Sequence, residues 1–73
     1  MGLALAMMGR YEEAIAQFEQ GVALDPADPA AHLNLAVAYA ETGRKADARG
    51  QAEEALRLRP GYERARQFLA ALR

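Results

Sequence analysis

The chain has 73 residues, ten acidic and nine basic side chains, a formal net charge of −1 and no cysteine. It is long enough for one small domain, and its near-neutral charge offers no general attraction to nucleic acid or to an anionic lipid surface. Without cysteine it can form neither a disulfide nor a thiolate metal site.

The first element is the run MGLALAMMG, nine mostly apolar residues that precede Arg10. Such a run is compatible with a secretory signal, a membrane anchor or the end of a folded helix. No basic residue precedes it, and it is far shorter than the roughly 20 residues that span a bilayer. The sequence therefore favours a helix that ends at Gly9, in a cytoplasmic protein.

Two further helices are predicted in the middle of the chain. One runs from about Arg10 to Leu24, between Gly9 and Asp25-Pro26. A new helix then starts with Asp28 as its cap and Pro29 at its first position. Gly43 is expected to end that helix in a left-handed conformation.

Two more helices complete the pattern. One is predicted from about Lys45 to Leu58, because the residue before Pro60 avoids helical geometry. The last runs roughly from Tyr62 to Leu72. The connections are only a few residues long, so neighbouring helices should be antiparallel. The expected fold class is all-α, an αα-hairpin solenoid of about five helices.

The strongest organising signal is an internal repeat with an offset of 34 residues. Gly9-Arg10 aligns with Gly43-Arg44, and twelve of the 39 pairs at this offset are identical. Chance would give about a third of that, and a fixed period in this range is typical of stacked helical units. Other matched pairs are Ala14 with Ala48, Gln17 with Gln51, Leu24 with Leu58, Pro26 with Pro60, and Leu35-Ala36 with Leu69-Ala70.

Two stretches resemble the tetratricopeptide repeat (TPR) family: NLAVAYAETGRKADARGQAEEALRLRP and, earlier, GLALAMMGRYEEAIAQFEQGVALDP. In the second copy the matching positions are Ala36, Tyr39, Gly43, Ala48 and Pro60. The first copy has the corresponding residues Gly2, Gly9, Tyr11, Ala14, Phe18 and Pro26.

The resemblance implies a fragment of a right-handed TPR superhelix. Residues 1–28 would be a partial first repeat, residues 29–62 a complete repeat and residues 63–73 a closing helix. The sequence departs from the family pattern at Ala52, where the family prefers a large aromatic residue.

Residues that could carry chemistry are scarce. Thr42 is alone among serine, threonine and cysteine, and His32 is the single histidine, which is expected to pack rather than bind a metal. The arginines near the C-terminal end are interleaved with glutamates, unlike a basic track for RNA. The sequence therefore predicts no enzyme, no cofactor, no metal, no nucleic acid and no membrane partner.

The resemblance also implies a binding surface, since the first helix of each TPR lines the concave face. Leu33 and Val37 are four residues apart and should share one stripe, while Leu35 and Tyr39 point into the core. The predicted partner-binding residues on the concave face are Leu3, Met7, Leu33, Asn34, Val37, Glu41, Arg64 and Phe68.

Alternatives remain for that surface and for the whole chain. Its apolar stripe could be covered by a neighbouring element or could form a groove for a peptide or amphipathic helix. The leading function is a non-catalytic protein–protein interaction module or scaffold. The alternative is a structural C-terminal cap of a larger TPR protein whose activity lies upstream. A homodimer through a truncated N-terminal helix is a further expectation. Eight arginines against one lysine favour a bacterial source.

Overall fold

The computed structural model describes the backbone of residues 2–72 and the side chains of residues 10–72. It contains four helices: α1 (Gly2–Leu24), α2 (Pro29–Glu41), α3 (Lys45–Leu58) and α4 (Glu63–Ala71). No strand occurs in that part of the chain. Extensive contacts join successive helices, α1 with α2, α2 with α3 and α3 with α4. The all-α class is confirmed.

The predicted helix count of about five is wrong, because α1 continues through Gly9. Gly9-Arg10 matches Gly43-Arg44, but a matching dipeptide does not by itself reverse the chain. At Gly43 the reversal is stabilised by α3, which packs back onto α2. The seven residues from Gly2 to Met8 form about two helical turns, and extending an existing helix through a glycine costs only about 1 kcal/mol.

Helix α2 begins and ends as the sequence predicts. The Asp28 side chain accepts a hydrogen bond from the Ala30 backbone N–H at 3.0 Å, and Pro29 occupies the first helical turn. At the other end Gly43 adopts a left-handed φ of 84°. This conformation lets the Arg44 N–H donate to the Tyr39 carbonyl at 2.9 Å, which caps the last turn.

Small side chains dominate the packing between helices. Four alanines are completely buried and form one cluster with Leu33: Ala36 on α2, Ala52 and Ala55 on α3, and Ala65 on α4. Alanine lets helix backbones approach closely, and so a short chain reaches a dense interior with little side-chain volume. A second cluster joins α1, α2 and α3 and consists of Ile15, Leu35, Ala38, Tyr39 and Ala48.

The polar side chains of Tyr39 and His32 connect α2 to its neighbouring helices. The Tyr39 hydroxyl donates to Glu19 Oε2 at 2.7 Å and links α2 to α1. His32 is buried, its Nε2–H donates to the Pro26 carbonyl, and the Gln51 side-chain amide lies 2.7 Å from Nδ1. Both ring nitrogens of His32 therefore have partners, as expected of a packing residue.

Candidate functional site

A groove of about 380 Å³ opens between α1 and α2. One wall comes from α1 and the other from the outer face of α2, and α4 contributes one side chain at the end. We call it the α1–α2 groove. Its lining residues are Tyr11, Ala14, Phe18, Asn34, Val37, Ala38, Glu41 and Arg64.

The α1–α2 groove combines apolar walls with a few polar groups. Phe18 and Val37 are its large apolar side chains, and Val37 is 41% exposed. At the polar edge the Tyr11 hydroxyl faces Glu41 Oε2 across the groove at 3.5 Å. Asn34 and Arg64 add an uncharged amide and a cation, both exposed. Apolar walls with few polar groups are typical of sites that bind a ligand or a helix.

Four of the predicted partner-binding residues line this groove together: Asn34, Val37, Glu41 and Arg64. Phe68 is half-buried and packs against both core clusters. The side chains of Leu3 and Met7 lie outside the described residues.

Leu33 was expected to share an exposed stripe with Val37, but it is buried in the core. It is 5% exposed and packs with Ala36, Ala52 and Ala65. Four residues advance a helix by about 400°, so Leu33 is rotated about 40° from Val37. That rotation turns Leu33 towards α3 and α4. Its side chain therefore contributes to the core and not to the groove.

The α1 wall of the groove was missed by the sequence prediction. Tyr11, Ala14 and Phe18 follow the break expected at Gly9 and were assigned only to the repeat pattern. The signal that could have found them is the 34-residue offset, which aligns Ala14 and Phe18 with Ala48 and Ala52.

The two copies of this face have different surroundings. In the second copy Ala48 and Ala52 are fully buried, because α2 and α3 pack against each other there. In the first copy Ala14 and Phe18 are only half-buried and line the open groove. The open side of α1 in this groove therefore corresponds to the side of α3 that α2 covers in the second copy.

A second groove, of about 430 Å³, lies between α3 and α4. We call it the α3–α4 groove. Its surface is more charged than that of the first groove, with two arginines and a glutamate around a short apolar strip. The lining residues are Arg49, Glu53, Leu56, Arg66, Leu69 and Ala70.

The hydrogen bond between Tyr39 and Glu19 joins the two helices that form the α1–α2 groove. Burial of the phenol, and then its hydrogen bond to the Glu19 carboxylate, raise the pKa of Tyr39 to about 12. The protonated phenol is the form that donates to Glu19. Deprotonation therefore removes the link between α1 and α2.

We expect this link to make the free energy of unfolding depend on pH above 10. The pKa of an unfolded tyrosine is near 10, so the stabilisation is complete below pH 10 and falls as the pH rises towards 12. Glu19→Gln should lower the pKa of Tyr39 yet leave it above 10, since burial is the larger cause. Absorbance titration at 295 nm, with urea denaturation at each pH, measures both effects. Identical curves for the two proteins would contradict this assignment.

Two other kinds of site are absent from the part of the chain that the structure describes. Within residues 2–72 no helix is both long and apolar enough to cross a membrane. Among the described side chains no three histidine, cysteine or carboxylate groups come together as a metal site.

The chain is similar to known proteins of one family. A sequence profile described as "TPR repeat" matches residues 2–43, and one described as "Tetratricopeptide repeat" matches residues 29–62. The chain is 39% identical over 71 residues to the TPR repeat-containing thioredoxin TTL4 of Arabidopsis thaliana. It is 37% identical over 67 residues to the Hsp70-Hsp90 organizing protein of Triticum aestivum. These alignments cover 97% and 86% of the chain but only 10% and 12% of the two relatives.

Proposed function

The chain belongs to the tetratricopeptide repeat family, and from that premise we propose that it is a non-catalytic protein–protein interaction module. We propose further that its α1–α2 groove binds an amphipathic helix of a protein partner. The wheat relative is named for organizing two other proteins, Hsp70 and Hsp90, which supports a role in protein binding. The Arabidopsis relative is named a thioredoxin, but the dithiol of a thioredoxin requires cysteines that this chain lacks.

One observation carries the proposal. The open face of α1 corresponds, at the 34-residue offset, to the face of α3 that α2 covers. Ala14 and Phe18 correspond to Ala48 and Ala52, and the latter pair is fully buried. A helix that presents small and apolar residues at helical spacing is therefore the ligand that this groove fits.

The polar groups of the groove add an orientation preference. Glu41 is expected to attract a basic residue of the bound helix, while Arg64 attracts an acidic one near α4. Asn34 lies on the exposed face of α2 and can donate or accept a hydrogen bond. These three residues would set the direction of the helix, and Val37 and Phe18 would supply most of the apolar contact.

The remaining predicted residues have different roles in this proposal. Leu3 and Met7 stay predictions for the same concave face, and Leu33 and Phe68 support it from the core. The division of the chain into a partial repeat, a complete repeat and a closing helix stays a prediction, in which the complete repeat has the same bounds as the profile match over residues 29–62.

The test uses a fluorescein-labelled peptide of residues 29–42, PAAHLNLAVAYAET, because α2 covers the equivalent face of α3 within the chain. We expect fluorescence anisotropy to show saturable binding to the wild-type protein. Val37→Glu should weaken binding at least about tenfold, since it places a carboxylate in the apolar part of the groove near Glu41.

The matched control is Leu24→Glu, which also replaces an exposed apolar side chain with a carboxylate. Leu24 is 87% exposed and lies outside the groove, so its variant should bind the peptide like the wild type. Equal binding by all three proteins would show that the α1–α2 groove is not the docking site.

Self-association through α1 is a second candidate function. The observation that favours it is the half-buried face of Ala14 and Phe18, an apolar surface able to pack against another helix. The alternative role as a closing segment of a larger protein uses the same surface, with neighbouring repeats in place of a second copy.

A further inference from the structure

The α3–α4 groove has a buried counterpart inside the same chain. Leu69 and Ala70, which line this groove, correspond to Leu35 and Ala36 at the 34-residue offset. Leu35 and Ala36 are 2% and 0% exposed, because they pack against Ala48, Ala52 and Ala55 of α3. The α3–α4 groove is therefore a surface on which a helix equivalent to α3 fits.

Helix α1 is that equivalent, and its matching face is open. The three covering residues of α3, Ala48, Ala52 and Ala55, correspond to Ala14, Phe18 and Gly21 on α1. None of these α1 residues is fully buried, and nothing lies within 4 Å of a Cβ built on Gly21. The chain thus has counterparts of both halves of the α2–α3 contact at opposite ends of the molecule, with the larger Phe18 in place of Ala52 and the smaller Gly21 in place of Ala55.

We propose that two copies associate head to tail, with α1 of one copy seated in the α3–α4 groove of the other. In the same contact, α4 of the second copy enters the α1–α2 groove of the first. The 34-residue repeat then continues across the junction. This inference rests on the proposed function of the α1–α2 groove as a helix-binding site.

The described part of α1 and the region that contains α3 and α4 carry opposite net charge. Residues 10–24 carry three glutamates and one arginine, whereas residues 45–72 carry six basic and four acidic side chains. Two of those bases, Arg49 and Arg66, line the α3–α4 groove. Opposite charges on facing surfaces favour encounter and fix orientation.

One polar contact across the junction can also be deduced from the repeat. Within the chain, the ring of His32 on α2 lies 2.7 Å from the Gln51 amide on α3. The residues at the matching positions are Arg66 on α4 and Gln17 on α1. Across the junction, the Arg66 guanidinium of the second copy should therefore donate to the Gln17 side-chain carbonyl of the first.

The contact is heterologous, because the two surfaces are different. A contact of this kind leaves a free surface at each end, and the assembly grows with concentration unless it closes into a ring. A partner helix would compete with α4 of a second copy for the α1–α2 groove. Partner binding and self-association are then mutually exclusive at that site.

The test uses one blocking variant for each surface. Ala70→Glu places a carboxylate in the α3–α4 groove, and Gly21→Glu places one on the covering face of α1. Ala70 is exposed and the space around Gly21 is open, so both variants should keep the wild-type helical content by circular dichroism. Ala71→Glu and Ala23→Glu, at exposed positions beside them, are the matched controls.

Size-exclusion chromatography with light scattering should show concentration-dependent growth for the wild type and both controls. Each blocked variant alone should have the 7.9 kDa monomer mass. An equimolar mixture of the two should give about twice that mass, because the intact α1 of Ala70→Glu fits the intact groove of Gly21→Glu.

Two results would overturn the inference. A wild type that is monomeric at millimolar concentration would exclude self-association, and if it still binds the peptide of residues 29–42 the proposed function stands. Association of Ala70→Glu alone, with none for Gly21→Glu, would show contact through α1 without the α3–α4 groove. If neither peptide binding nor association is seen, both proposals fail.

Discussion

Replacing Leu35 with alanine should lower the free energy of unfolding by about 2–5 kcal/mol. Leu35 is the most buried large side chain of the cluster that joins α1, α2 and α3, where it packs with Ile15, Tyr39 and Ala48. The substitution removes its apolar contacts and leaves a cavity in the interior of this cluster. At about 0.05–0.15 kcal/mol per residue, a chain of this length has a total stability of about 4–11 kcal/mol. Urea denaturation followed by circular dichroism at 222 nm measures the loss.

The control for this prediction is the same substitution at an exposed leucine. Leu24→Ala at the end of α1 should change the free energy of unfolding by no more than about 0.5 kcal/mol. If the two variants were equally stable, Leu35 would not be the centre of the packing that the structure describes.

Ala52→Phe should destabilise the protein by about 1–3 kcal/mol, although the corresponding residue of the first copy is Phe18. Ala52 is fully buried among Leu33, Ala36 and Ala65, so a phenyl ring there must push the helices apart. Phe18 is tolerated because its side of α1 faces the open groove. Thermal unfolding should show a Tm lower by roughly 4–8 °C for each kcal/mol lost.

A phenylalanine at an exposed position of the same helix separates packing from helix propensity. Ala46→Phe lies on α3 outside both clusters and should lower the Tm far less than Ala52→Phe. An unchanged Tm for Ala52→Phe would mean that the helices around Ala52 can separate at little cost, contrary to the dense packing seen here.

Much of the fold follows from local chemistry that is visible in the sequence. The cap at Asp28, the left-handed Gly43 and the break before Pro60 predict α2 and α3 within a residue or two. The turn expected at Gly9 does not form, because a chain reversal also needs an opposing helix with a face to bury. A dipeptide motif cannot report whether that helix is there.

The sequence predicted only part of the candidate site, because some of its features depend on contacts between distant parts of the chain. Asn34, Val37 and Glu41 were predicted as partner-binding residues because the resemblance to the TPR family implies that this helix lines a concave face. The structure brings all three to the α1–α2 groove. The burial of Leu33 depends on Ala65 of α4, a contact between distant parts of the chain. Such contacts are settled by packing and not by periodicity.

The order of contacts along the chain has a consequence for how this protein folds. Each helix packs mainly on the helix before or after it in sequence, so the closed loops are short and their entropic cost is small. Chains whose contacts are this local fold in microseconds to milliseconds. The α2–α3 hairpin carries most of the fully buried alanines and is the natural nucleus, onto which α1 and α4 can add in either order.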